Sequence, residues 1–125
     1  DLEYHYDEAV TITPRNFIFK FRKADAIKMH YAMIGMATVI EGYPLYYEAT
    51  NEKGLSMAGL NFPTNAFYRK KETGKINIAS FEIIPYILCR CKNVSEAREL
   101  LENAKTTIIQ SCLVFIFCII NSLLV

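Results

Sequence analysis

The run LYYEATNEKGLSMAGLNF, residues 45–62, decides the fold. Residues 45–50 and 55–62 are strand-like and flank Asn51, Glu52, Lys53 and Gly54. An Asn can open a type I turn, and a Gly accepts the left-handed backbone that completes it, so a β-hairpin is expected. Toward the N-terminus, residues 31–40 are mostly apolar but carry Gly35 and Thr38, which disfavour a helix. Glu41, Gly42, Tyr43 and Pro44 close that run with a turn signal, and a strand buried on both faces is expected. Residues 9–13 and 17–22 alternate in β-branched and aromatic side chains around Pro14, Arg15 and Asn16, the pattern of strand, turn and strand.

Toward the C-terminus the pattern changes. Residues 69–75 are polar and Gly-punctuated, an exposed loop whose basic triplet Arg69, Lys70 and Lys71 reads as a solvated face. Residues 79–91 place Phe81, Ile84 and Leu88 at helical spacing, with Pro85 expected to kink the helix. Ser95 is the expected N-cap of a second helix, with Glu96 and Glu99 in its first turn and Ala97, Leu100, Leu101 and Ala104 on one face. Strands first and a helical pair after them indicate an α+β domain. Residues 106–125 contain no charged side chain. As a helix they would reach about 30 Å, enough to cross a hydrocarbon core. Gln110, Ser111, Asn121 and Ser122 interrupt the run, however, and its Phe, Ile and Val suit a strand equally. A membrane anchor, a buried strand of a larger domain and residues from another reading frame all remain open.

The chain has 125 residues, room for one domain or part of a larger one. Lys+Arg 14 against Asp+Glu 13 leaves a charge of +1, which argues against a nucleic-acid-binding module. With 52% hydrophobic and 22% charged residues the chain is expected to fold rather than stay disordered. It begins at Asp1 without a signal peptide, and its left end is expected to be cut. Cys89, Cys91, Cys112 and Cys118 lack zinc-ribbon spacing and have no His nearby, so no metal site is expected and buried reduced thiols in a cytoplasmic protein are. His5 and His30 are expected on the surface or in a pocket wall.

The residues most suggestive of chemistry lie at the end of the hairpin. Asn61 follows Gly59 and precedes Pro63, so a carboxamide and a backbone N–H sit at a strand terminus, where both can face a developing oxyanion. By spacing alone, Asn61 is better read as merely satisfying a turn.

The run NEKGLSMAGLNFP, residues 51–63, strongly resembles the choloylglycine hydrolase family, the bile salt hydrolases and penicillin V acylases, which are N-terminal nucleophile hydrolases. Asp1, Leu2, Glu3 and Tyr4 look like the end of the family's Arg-Asn-x-Asp segment, residues 14–17 like its Pro-Arg-Asn-Phe turn, and residues 32–38 like its Ala-x-x-Gly-x-x-Thr strand. Residues 78–104 resemble the family's first helical pair. The resemblance covers residues 1–109, a partial family domain; residues 110–125 form an apolar, divergent tail where the family would continue into Leu-Pro-x-x-Pro-Leu-His-Trp.

That resemblance implies part of a four-layer αββα sandwich in which an N-terminal Cys, with its own α-amine as base, attacks an amide without any cofactor. The Cys and an Arg would precede Asp1, and a second Asn and a second Arg would follow further downstream. Asp1 would orient the α-amine, and Asn61 would supply an oxyanion donor. Penicillin V acylases typically carry an aromatic residue where Asn61 stands, so the resemblance favours conjugated bile salts as substrate. Tyr6, Ile40 and Tyr47 match the regions walling the family's steroid pocket, with ordinary core packing an equally open reading of each. A homotetrameric, cytoplasmic parent is implied, with the 125 residues alone inactive and poorly soluble. A penicillin V acylase and a non-catalytic, membrane-tethered remnant are the competing readings; preference between glycine and taurine conjugates is left open.

Overall fold

Turn chemistry sets the register of the central sheet. The computed structural model describes residues 7–60, 73–103, 107–109 and 116–121. Strands β1 (Glu8–Thr13), β2 (Met33–Ile40), β3 (Tyr43–Asn51) and β4 (Leu55–Leu60) run in spatial order, each antiparallel to the next. Glu41 at φ 50° and Gly42 at φ 77° make the two-residue turn between β2 and β3, both residues left-handed as a tight hairpin requires. Tyr43 and Pro44, expected in that turn, instead open β3. Between β3 and β4 the expected turn forms: Gly54 has φ 82° and donates its N–H to Asn51 O at 2.9 Å.

The helices follow as β5 (Asn77–Ala79), a 3₁₀ turn over Ser80–Glu82, α1 (Ile83–Leu88) and α2 (Val94–Asn103). Strand β6 (Thr107–Ile109) pairs in parallel with β5, and β7 (Ile116–Asn121) adds antiparallel to β4 as the fifth strand of the main sheet. This is a mixed sheet-and-helix architecture, with the core between one sheet face and the helices. Met33, Ala37, Tyr46, Ala49, Leu55 and Met57 of the sheet meet Ile83, Ile84, Ile87, Leu88 and Ala97 of the helices, closed on one side by Phe19 and Phe21.

A β-bulge gives β3 its inward face. Met36 pairs with Glu48 and Ala37 with Tyr46, which leaves Tyr47 as the extra residue. Pro44 and Tyr46 before it, and Ala49 and Asn51 after it, are therefore all buried although strict alternation would turn one pair outward. Next to the bulge, a Cβ on Gly35 would lie 2.0 Å from the Glu48 carbonyl oxygen, so only glycine fits there.

Several expectations from sequence are corrected. Residues 17–22 do not form a strand: a turn bond from Phe17 N–H to Pro14 O and a lone bridge between Phe19 and Ile27 hold an irregular connection. Their period-2 pattern reflects Phe19 and Phe21 reaching the core without a neighbouring strand. Strand β2 is buried on one face only; Ile34 and Ile40 on its other face are 48% and 53% exposed. Pro85 does not kink a long helix, because α1 starts at Ile83 and places it in the first turn, where a missing N–H costs nothing. The cap of α2 is Asn93, whose Oδ1 accepts the Glu96 N–H at 2.9 Å, and Ser95 already lies inside the helix. In the uncharged tail, residues 116–121 are a sheet strand, and among the described residues no helix is long and apolar enough to cross a membrane.

Candidate active site

The strand order brings distant parts of the chain to one end of the sheet. β1 begins at Glu8 where β2 ends at Ile40, and β4 ends at Leu60 on that same side. The chain thus enters β1 and leaves β4 at a shared end, across two intervening strands or about 14 Å. Asp1 and Tyr6 precede β1, and Asn61 follows Leu60 directly; all three lie outside the described residues, as do His5 and the basic triplet at 69–71.

The two remaining candidates are described, and they share the face turned away from the helices. Tyr47, projected by the bulge, places its hydroxyl 2.8 Å from Thr38 Oγ1, and Ile40 lies two residues further along β2 on the same side as Thr38. With Val10 and Ile12, both 69% exposed, and Ile34, they make this outer face apolar and uncovered among the described residues. A face of this kind can receive an apolar ring system or a second layer of structure.

At the opposite end sits a polar node that no periodicity in the sequence announces. Arg15 grips the Glu52 carboxylate through Nε, at 2.9 and 3.0 Å from the two oxygens, and through Nη2. Glu52 Oε1 also accepts the Ala32 N–H at 3.0 Å, and the Glu52 N–H donates to Ala32 O at 2.9 Å. The Arg15 bond first, then the Ala32 N–H, hold the Glu52 carboxyl down at about 2. Beside it Asn51, 3% exposed, accepts the N–H groups of Lys53 and Leu55 on Oδ1 and donates through Nδ2 to Leu88 O at 2.9 Å and Cys91 O at 2.7 Å. It welds the hairpin turn to the end of α1. The segments 14–17, 32–38 and 51–63 are thus joined through Arg15, Ala32 and Glu52.

The other titratable groups are structural. Burial pushes the Cys89 thiol up to about 12 and the Cys91 thiol to about 11, so neither is a ready nucleophile. Glu82, 2% exposed, accepts the Arg22 N–H at 3.0 Å through Oε1, while Oε2 and the nearby Tyr43 hydroxyl have no partner among the described residues. Burial raises both groups above their ordinary values. His30 is buried in a pocket wall, with Nδ1 2.7 Å from Tyr31 O and Nε2 2.8 Å from Phe17 O. Among the described residues no cluster of His, Cys, Asp and Glu could hold a metal.

The three joined segments are among those that carry the resemblance to the choloylglycine hydrolase family. The family model for linear amide C–N hydrolases, choloylglycine hydrolase family, matches residues 1–120, and the chain belongs to that family. It is 48% identical over 99 residues to a bile salt hydrolase/transferase of Lactiplantibacillus plantarum, covering 79% of this chain and 31% of the relative. It is 42% identical over 104 residues to a conjugated bile acid hydrolase of Lactobacillus gasseri, covering 82% and 33%. Among solved structures, a variant of conjugated bile acid hydrolase from Clostridium perfringens superposes with a TM-score of 0.83 at 30% identity, covering 95% of this chain and 38% of that one. Penicillin V acylase from Agrobacterium tumefaciens shares the fold, with a TM-score of 0.70 at 16% identity, covering 88% and 34%. The chain spans about a third of the length of the curated relatives it matches.

Proposed function

We propose that this chain is part of a bile salt hydrolase, which cleaves the amide bond between a bile acid and glycine or taurine. The observation that carries the reading is 48% identity over 99 residues to a bile salt hydrolase/transferase, supported by the sequence Gly59, Leu60, Asn61, Phe62 and Pro63. In this reading an N-terminal Cys outside these residues attacks the amide carbonyl. Its proton passes by way of its own α-amine to the leaving amine, and water then hydrolyses the thioester. Asp1 orients the α-amine, and Asn61 stabilises the oxyanion through its N–H and side-chain amide.

The uncovered apolar face with Val10, Ile12, Ile34 and Ile40 supports a four-layer αββα assembly, its second sheet supplied by the remaining two-thirds of a longer chain. Tyr6, Ile40 and Tyr47 would wall the steroid pocket. The full-length enzyme would be a cytoplasmic homotetramer, and the 125 residues alone would release no amino acid from glycocholate.

The test is hydrolysis of glycocholate, taurocholate and penicillin V by the full-length protein, followed as amine release or phenoxyacetate formation. Conjugated bile salts should turn over much faster. Preference for penicillin V would make this chain part of an acylase with the same chemistry, and no hydrolysis of any of the three would favour a non-catalytic protein.

A further inference from the structure

A cleft of about 460 Å³ opens at the end of the sheet opposite the proposed active site, about 20 Å away by the length of a six-residue strand. It is lined by Arg15, Met29, His30, Tyr31, Glu52, Lys53, Cys89 and Arg90. Three cationic side chains thus face one carboxylate. That carboxylate is taken: Glu52 is gripped by Arg15 and bound by the Ala32 N–H. Lys53 and Arg90 have no carboxylate partner at ion-pair distance among the described residues.

Both of these cations lie against aromatic rings. The Lys53 ammonium lies 5.5 Å from the Tyr31 ring centroid. The Arg90 guanidinium lies 3.9 Å from that of Tyr86 and donates through Nη1 to Tyr86 O at 3.0 Å, leaving its other N–H groups available. Stacking orients the Arg90 guanidinium without neutralising it, and three cations against one carboxylate leave the cleft lining a net charge near +2. His30 adds no acceptor for them, because both its ring nitrogens already face the carbonyl oxygens of Tyr31 and Phe17.

A net charge near +2 is matched by a phosphate monoester, which carries about −1.5 to −2 at neutral pH and presents three acceptor oxygens. A carboxylate would leave one cation unpaired. The cleft also has room beyond the phosphate, with Met29 and the Tyr31 ring as apolar wall for an organic group. We infer that this cleft is a second binding site, which takes the phosphate of a small phosphate monoester between Lys53 and Arg90. The site is independent of the hydrolase reading.

The test is calorimetric titration of the full-length protein with phenyl phosphate, inorganic phosphate and acetate at constant ionic strength. Saturable binding of one phenyl phosphate per chain is expected, with acetate weaker by about tenfold or more. Lys53→Gln and Arg90→Gln should each weaken phenyl phosphate by about tenfold. Lys92→Gln, whose side chain pairs with Glu96 outside the cleft, should leave it unchanged. Urea midpoints near wild type would confirm that the variants fold; Lys53 is an exposed turn residue and tolerates substitution if Arg90 does not. Absence of saturable binding, equal affinity for acetate, binding of inorganic phosphate but not phenyl phosphate, or full affinity in a folded Lys53→Gln variant would each overturn the site.

Discussion

The two ends of the five-stranded sheet are built by different means. At the end formed by Thr13, Met33, Asn51 and Leu55, side chains tie backbone to backbone: Asn51 holds four main-chain groups, and Glu52 joins Arg15 to Ala32. At the end formed by Glu8, Ile40, Tyr43 and Leu60, the exposed side chains of Val39 and Ile40 and an outward-turned Tyr47 stand instead. The first arrangement spends polar groups on rigidity. The second leaves surface for something else to bind, and it is the end to which we assign the proposed chemistry. Under the proposed function a motif such as residues 51–63 has two halves: the first holds the hairpin in register, and the second contains Asn61.

Variants can break that division, beginning with the largest effect. Asn51→Ala removes four hydrogen bonds and leaves the carbonyls of Leu88 and Cys91 without that donor, so a loss of about 3 kcal/mol is expected in urea unfolding of the full-length protein. A loss below about 1 kcal/mol would mean that the tie is dispensable. Gly35→Ala, which forces a methyl against the Glu48 carbonyl, should cost about 2–3 kcal/mol in the same measurement unless the bulge at Tyr47 relaxes.

Glu52 gives the structural end a pH signature. Its folded value is depressed to about 2 from an ordinary 4.5, so its contribution is complete above 4.5 and is lost as pH falls through about 2. Glu52→Gln should flatten the acid limb of the stability profile in that window, as measured by thermal midpoint against pH. An unchanged acid limb would show that the Arg15–Glu52–Ala32 node does not contribute. The smallest effect is expected from Ile40→Ala: at 53% exposure it should shift stability by no more than about 0.5 kcal/mol while raising KM for glycocholate. The reverse outcome, a stability loss with KM unchanged, would make Ile40 a packing residue and erase the contrast.

What could be read in the sequence follows the range of the interactions involved. The hairpin of β3 and β4 was legible because Asn51 and Gly54 act within one turn. The bulge at Tyr47 was not: burial parity along β3 reverses only because β2 pairs as it does. The alternation at residues 17–22 was read as a strand, yet it reflects Phe19 and Phe21 in the core; a strand needs a partner, and a single bridge to Ile27 is all there is among the described residues. Pro85 looked like a kink because nothing local shows that the 3₁₀ turn precedes it and α1 begins only two residues earlier. Arg15 and Glu52 stand 37 residues apart, and no spacing rule links them. Of the candidate site, Ile40 and Tyr47 came from resemblance alone, and that they share one sheet face depends on the bulge in β3, which no local pattern shows; the roles of Asp1, Tyr6 and Asn61 likewise rest on resemblance.

The most direct test compares glycocholate turnover per folded molecule in full-length Asn61→Tyr and Glu52→Gln. If the ends divide the work as proposed, Asn61→Tyr lowers turnover with little change in thermal midpoint. One oxyanion-type contact is worth about 3 kcal/mol, and the surviving backbone N–H should make the loss smaller. Glu52→Gln should instead lower the thermal midpoint while turnover per folded molecule stays at the wild-type value. Equal or faster turnover in Asn61→Tyr, or a collapse of turnover in folded Glu52→Gln, would contradict the assignment of chemistry to the end where β4 stops.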